Sequence, residues 1–402
     1  MKYDFTTILE RKGRDALAVD ALGEPGFPGL PEEGWSVIPM WVADMNFPVP
    51  PVILDHLRDR ISHPAFGYFT PSEEYYGSIV NWQEKRNGVK GLSREHIGYE
   101  NGVLGGLMSA LGALCVPGDR ILLHTPAYIG FTHSLLNAGY RIVPSPLLKD
   151  DNGVWRMDLE DMERKLRDKK IHTMIFCSPQ NPTGRVWTQD ELERMMTLCR
   201  KYDVYVVSDE IWSDLVLTHS PVPHTPLQSV SEEACRRTVA LYAPSKTFNL
   251  AGLVGSYHII RDRRLKDRMD RAASLSHYNS MNVLSMHALI GAYSEEGGEW
   301  LEELRQVLSS NVQYAVERIR NEWEGVRVFL PEGTYMLFPD CAEWCRKKSV
   351  SMEELLAAGW KKGVAWQDGR PFGGNHTLRI NLALPRSKVE EAFDRLKKYV
   401  FI

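Results

Sequence analysis

The 402-residue chain lacks several features that would place it in a membrane or on a nucleic acid. No uncharged run is long enough to cross a bilayer, and the opening Met1-Lys2-Tyr3-Asp4-Phe5 has no apolar core of a secretion signal. The expectation is a cytoplasmic protein. Charge of one sign is not in excess: 48 Lys and Arg stand against 52 Asp and Glu, a formal charge of -4. That balance argues for neither a nucleic-acid partner nor an anionic membrane surface. Internal repeats and low-complexity tracts are missing. Cysteine is sparse, with Cys115, Cys177, Cys199, Cys235, Cys341 and Cys345 scattered along the chain. Only Cys341 and Cys345 are close, and without a neighbouring histidine pair they read as free thiols, zinc being the alternative. What is present, 43% hydrophobic and 25% charged residues, suits an ordinary globular protein with a large core and two domains.

The Gly- and Pro-rich residues 23–31 do not favour regular structure and read as part of an arm laid over another surface. Residues 38–47 form a short apolar, extended segment that turns at Pro48, Pro50 and Pro51. Apolar runs at 121–123, 141–143, 173–176 and 204–207 then alternate with helical patterns, one of which opens at a capping box, Thr188 with Glu191. This alternation predicts an α/β fold, a mostly parallel sheet with helices on both faces. Ligands gather at the carboxyl ends of such strands, where Tyr128, Asn181, Asp209 and Lys246 fall. A long helical pattern from about 281 to 322 suits a bridge between domains. Strand-like 333–338 and 378–382, with helical 352–361 and 387–399, read as a smaller α+β domain. The expected division is 1–48, an arm with part of the small domain; 49–284, the large domain; and 285–402, the small one.

Four motifs carry the chemistry: Ser178-Pro179-Gln180-Asn181-Pro182-Thr183-Gly184, Ser208-Asp209-Glu210-Ile211-Trp212, Ala243-Pro244-Ser245-Lys246-Thr247-Phe248-Asn249-Leu250-Ala251-Gly252-Leu253, and Arg379-Ile380-Asn381. Each alone has a structural reading, since Asn-Pro forms turns and an acidic pair after a strand often caps a helix. In this order and at these separations they resemble the fold-type I pyridoxal phosphate (PLP) enzymes of the class I/II aminotransferase superfamily. The lysine segment is most similar to the cystathionine β-lyase and cysteine C–S lyase (cystalysin-like) branch.

That resemblance implies a seven-stranded-type, mostly parallel sheet sandwiched by helices, with a smaller α+β domain. It implies pyridoxal 5'-phosphate bound covalently by Lys246, the catalytic base for the substrate Cα proton. Asp209 would favour the protonated pyridine nitrogen, Asn181 would donate to the ring's phenolic oxygen, and Tyr128 would stack on the ring face. Ser245 and the backbone of Val103 and Leu104, at a small-residue helix start, would take the phosphate. Tyr68 would reach that phosphate from the other subunit of a homodimer with shared sites. Arg379 would bind the substrate carboxylate through its planar fork, with Ala43, Tyr128 and Asn181 beside the substrate. No metal is implied.

Two departures bear on the reaction. Transaminases of this fold carry an arginine, paired with the phosphate, where this chain has Val254; the lyase branch also lacks it. Trp212 stands where transaminases place tyrosine and many lyases histidine, and its indole N–H can donate a hydrogen bond but not accept one. Residues 276–282, Ser-His-Tyr-Asn-Ser-Met-Asn, read either as altered substrate contacts or as a linker. The expected function is β-elimination from an L-cysteine S-conjugate such as L-cystathionine, giving a thiol, pyruvate and ammonia. The alternatives are an aminotransferase and a PLP-bound scaffold for a regulatory protein.

Overall fold

The computed structural model describes residues 1–274 and 279–402. Seven strands form the central sheet: β1 (Ile97–Glu100), β2 (Arg120–Thr125), β3 (Arg141–Pro146), β4 (Thr173–Cys177), β5 (Tyr205–Asp209), β6 (Thr238–Tyr242) and β7 (Ser256–Ile259). Their order across the sheet is β1-β7-β6-β5-β4-β2-β3. Neighbours from β6 through β3 are parallel, while β7 runs antiparallel to both β6 and β1. Every residue of β4 and β6 is buried, which accounts for their uninterrupted apolar character: both faces of a parallel sheet are covered.

The two faces have separate cores. Ile175 and Cys177 of β4 join Leu107, Leu111, Phe131 and Leu241 on one side. Met174 and Phe176 join Trp187, Leu192, Met195 and Met196 on the other. The strand period of two therefore divides a single apolar run between two helix layers. Helix Gln189–Lys201 on the second face begins at the expected capping box, with Thr188 accepting from Glu191 N and Glu191 reaching back to Thr188 N.

The helical pattern from 281 to 322 is two helices, Val283–Ala292 and Glu295–Glu322. Ser294 caps the second by accepting from Gly297 N, and a Cβ at Gly297 would lie 2.1 Å from the Ala292 carbonyl oxygen. A cap and a close backbone approach thus interrupt a pattern that looks continuous by hydrophobicity. The long helix packs under a three-stranded antiparallel sheet of β8 (Met336–Leu337), β9 (Gln367–Asp368) and β10 (Leu378–Asn381), in the order β8-β10-β9. The strand expected at 333–338 is shorter because Gly333 bridges to Val216 and Thr334 takes a left-handed conformation.

The amino-terminal segment contains a short helix, Leu17–Asp20, just before the Gly- and Pro-rich residues 23–31. Asp20 stabilises it by accepting from the backbone of Gly13 and Ala16. Ile38–Pro39 then pairs in parallel with Val364–Ala365. Among the described residues, no helix is long and apolar enough to cross a membrane, and no cluster of side chains has the makeup of a metal site. All six cysteines are free thiols.

Candidate active site

The site forms beyond the carboxyl ends of β4, β5 and β6, where loops leave the sheet. Asp209 is the last residue of β5; it is buried, and its carboxylate accepts from Ile211 N at 3.0 Å. Burial raises its pKa to about 7, with that hydrogen bond and the Lys246 charge opposing. The next strand leads into the one-turn helix Pro244–Thr247, with Pro244 at its first position, and this turn projects Lys246. Lys246 Nζ donates to the Ala43 carbonyl at 2.9 Å. Its pKa falls to about 8, first through burial and then through the Arg379 charge, with Asp44 and Asp209 acting the other way.

Tyr335 OH donates to the same Ala43 carbonyl at 3.1 Å, and its ring meets Trp212 edge to face with centroids 4.8 Å apart. The Lys246 amine lies 6.0 Å from the Trp212 ring centre. Trp212 is therefore a wall of the lysine pocket.

Arg379, in the middle of β10, is 2% exposed and faces neutral acceptors. Nε donates to Asn181 Oδ1 at 3.3 Å, and Nη1 donates to the Trp41 carbonyl at 3.2 Å and to Gln367 Oε1 at 2.7 Å. Its guanidinium carbon stands 4.9 Å from the centre of the Phe372 ring. Nη2 is buried with no hydrogen-bond partner among the described residues. Burial brings the pKa down to about 10, so the group stays charged at neutral pH. A buried cation with one free donor edge is a ready receptor for a carboxylate.

Asn181 follows β4 and is buried; its Oδ1 is taken by Arg379, which leaves its Nδ2 to donate. Tyr128 precedes helix Ile129–Asn137 and lies edge-on to Phe131 at 5.4 Å; burial raises its pKa. Helix Gly102–Leu114 brings the N–H groups of Val103 and Leu104 to its amino end, and Gly102 has φ 73°, a conformation glycine adopts at little cost. Val254 neighbours this helix start: a Cβ on Gly102 would lie 3.8 Å from its Cγ1. Ser245 is half-buried beside Lys246.

Tyr68 is the expected site residue that one chain does not bring in. It is fully exposed, within a stretch, 61–69, in which every residue is open to solvent to some degree. The segment 276–282 lies partly outside the described residues, at 276–278. Of the remainder, Asn282 caps helix Val283–Ala292 through Ser285 N, and Asn279 Nδ2 donates to the buried Glu100 at 2.5 Å.

Sequence reasoning did not single out Tyr335, Gln367 or Asn249 as site residues, and gave Asn381 no role. Asn381 Nδ2 holds the carbonyls of Val42 and Asp44 at 2.6 Å each. Its signal was its place two residues after Arg379. Tyr335 had none, because its partner Ala43 lies 292 positions away, and Gln367 meets Arg379 only through the antiparallel register that sets the two residues opposite each other. A cleft of about 1140 Å³ lined by Tyr76, Trp82, Arg86 and Tyr293 contains none of these residues.

Pyridoxal phosphate, the cofactor implied by the resemblance, fits this donor set. A buried acid suits a ring nitrogen, a desolvated amine suits a carbonyl carbon, and a helix start suits a phosphate. The unpartnered Nη2 of Arg379 is left for the substrate.

Comparison with known proteins agrees with the geometry. The chain is 34% identical over 397 residues to a protein of Bacillus subtilis (strain 168) named cystathionine beta-lyase PatB, covering 98% of this chain and 99% of that one. A PLP-bound putative aminotransferase from Clostridium difficile 630 superposes with a TM-score of 0.90 at 35% identity, over 98% of this chain and 99% of that one. Cystalysin from Treponema denticola, solved with a pyridoxal 5'-phosphate cofactor, gives 0.90 at 30% identity, over 99% and 98%. The family model for aminotransferase class I and II matches residues 38–396, and the chain belongs to that family.

Proposed function

We propose that this protein is a PLP-dependent C–S β-lyase that cleaves L-cystathionine or related L-cysteine S-conjugates to a thiol, pyruvate and ammonia. The observation that carries the reading is the convergence, beyond the carboxyl ends of the central strands, of Lys246, Asp209 and an Arg379 with one buried nitrogen unpartnered among the described residues. When bound, pyridoxal phosphate supplies an electron sink for the pair left on Cα as its proton departs. Lys246 would hold the cofactor covalently, and its amine would take the Cα proton of the substrate. Its pKa of about 8 leaves a substantial neutral fraction near neutral pH.

Asp209 would pair with the protonated pyridine nitrogen, and that positive partner would offset the burial cost that raises its own pKa. Asn181 would donate through Nδ2 to the ring oxygen, Tyr128 would cover a ring face, and Ser245 with the Val103 and Leu104 N–H groups would take the phosphate. Arg379 binds the substrate carboxylate, with Ala43 beside it. Trp212 bounds the lysine pocket as an N–H donor only.

Lyase chemistry is favoured over transamination by Val254, by the lysine segment and by the similarity to the Bacillus protein named for that activity. Once Cα has lost its proton, a thiolate on Cβ leaves in a unimolecular step. Transamination needs Lys246 to place a second proton and hydrolysis to follow, and each difference of about 1.4 kcal/mol changes the ratio roughly tenfold.

The reading includes a cytoplasmic homodimer in which Tyr68 of each subunit completes the other's phosphate site; exposed Ile61, Phe66 and Tyr68 support it. It also keeps the division at 1–48, 49–284 and 285–402, supported by the pairing of Ile38–Pro39 with Val364–Ala365. The test is to incubate the purified holoenzyme with cystathionine, and separately with L-alanine plus a keto acid. Pyruvate and thiol should appear first. A keto acid that retains the sulfur side chain would show a transaminase instead.

A further inference from the structure

Residues 40–46 form a strap across the site, and side chains take up much of its backbone polarity. Asn381 Nδ2 holds the Val42 and Asp44 carbonyls, Asn249 bonds both the N–H and the carbonyl of Met45 at 2.9 Å, and Arg379 Nη1 takes the Trp41 carbonyl. Asn249 lies three residues after Lys246, and Asn381 two after Arg379. The strap is thus tied to both functional segments.

One further anchor comes from the amino-terminal arm. Arg11 meets Asp44 through Nη2 at 2.5 Å and Nη1 at 3.3 Å, and Nη1 also donates to Asn46 Oδ1 at 2.9 Å. The two charged side chains are only 18% and 20% exposed. The arm is fastened on either side of this contact. Phe5 packs against Phe47 and Trp300, and the Ala18 carbonyl accepts from Trp41 Nε1 at 2.9 Å. Between the Phe5 anchor and Arg11, Ile8 and Leu9 are exposed, so Arg11 is the polar hold of this stretch on the strap.

We propose that Arg11 is a positioning residue for Lys246: by clamping Asp44 and Asn46, it fixes the adjoining Ala43 carbonyl, the acceptor shared by Lys246 Nζ and Tyr335 OH. The inference rests on Lys246 being the reactive amine. An exposed ion pair would carry no such weight, since most are worth little. This one is two-pronged, largely shielded from water and bonded to a third side chain. Displacement of a reacting group by about 1 Å can cost roughly a hundredfold in rate, so a carbonyl that sets the direction of an amine needs a rigid support.

The experiment uses the holoenzyme as the parent, Arg11→Ala, Arg11→Lys, Asp44→Asn and the Arg11→Ala/Asp44→Asn double variant. Amide hydrogen exchange over residues 40–47 and the absorption spectrum of the bound cofactor are read without substrate, and kcat and KM with cystathionine. Arg11→Ala should speed exchange over 40–47 roughly tenfold and lower kcat roughly tenfold, with KM within about threefold and an altered cofactor spectrum. Arg11→Lys should recover part of each change, and the double variant should be no worse than the worse single one. Unchanged exchange over 40–47 in Arg11→Ala and Arg11→Lys would overturn the proposal, as would effects that simply add in the double variant. A parent that releases no pyruvate would sink the lyase reading alone, because the exchange and spectral readouts would still report on the clamp.

Discussion

Replacing Arg379 by methionine separates what the guanidinium does for the fold from what it does for a substrate. Moving its pKa from 12.5 to about 10 corresponds to about 3 kcal/mol against the charged form, and burial is the cause. Methionine fills the space without that cost. It also leaves Asn181 Oδ1, Gln367 Oε1 and the Trp41 carbonyl without their donor, at about 1 kcal/mol each. The two effects are of similar size and opposite sign, so the midpoint of thermal unfolding should move by only a few degrees. Binding has no such compensation. A substrate carboxylate brought to this place would lose its charged partner while still being desolvated, a loss of about 3–5 kcal/mol, or roughly 10²–10⁴-fold in kcat/KM. The assay is saturation kinetics with cystathionine, beside the decarboxylated amine analogue as a substrate that never used the guanidinium. Turnover of the analogue, however slow, should be equal in parent and variant. A large fall in thermal midpoint with kcat/KM unchanged would refute the reasoning and make Arg379 a structural residue.

The burial of Lys246 makes the stability of the cofactor-free protein depend on pH. Its folded pKa of about 8 lies below the ordinary 10.5, so between those values the unfolded chain holds a proton that the folded chain has released. Stability therefore rises with pH across that window, by at most about 3 kcal/mol, and the penalty is fully present below pH 8. Lys246→Met, compared with the cofactor-free parent by urea unfolding at pH 7 and pH 10, should be the more stable at pH 7 and lose most of that advantage at pH 10. Equal slopes in the two proteins would show that the lysine is not desolvated. For Asp209→Asn the expectation is retained cofactor with exchange of the substrate Cα proton slowed about a hundredfold or more, because an amide cannot stabilise a protonated pyridine as a carboxylate does. Exchange at the parent rate, followed by NMR in deuterium oxide, would remove that role from Asp209.

Much of the sheet was readable from the chain alone. β4 and β6 are buried on both faces, so their covering leaves a local mark, an apolar run of strand length closed by turn residues. The cap at Thr188 and the motifs around Asn181, Asp209, Lys246 and Arg379 are likewise written in consecutive residues. The break at Ser294 was not, because the helical period continues on either side and the interruption depends on a serine cap and one close backbone approach.

The sequence by itself determined which residue types stand at the ends of which strands, and with them the class of chemistry, since those features are short-range and repeat with the strand and helix periods. Only the tertiary structure decided what surrounds them. It joined Ile38–Pro39 to Val364–Ala365, set Tyr335 and Lys246 on one carbonyl of Ala43, held Arg379 with Gln367 and Asn181, and laid Arg11 against Asp44. Lys246 and Ala43 are 203 positions apart, and Tyr335 and Ala43 are 292. No periodicity spans such distances; these pairs meet because burying the apolar faces of sheet and helices leaves the strap one place to lie, and its polar groups must find partners there.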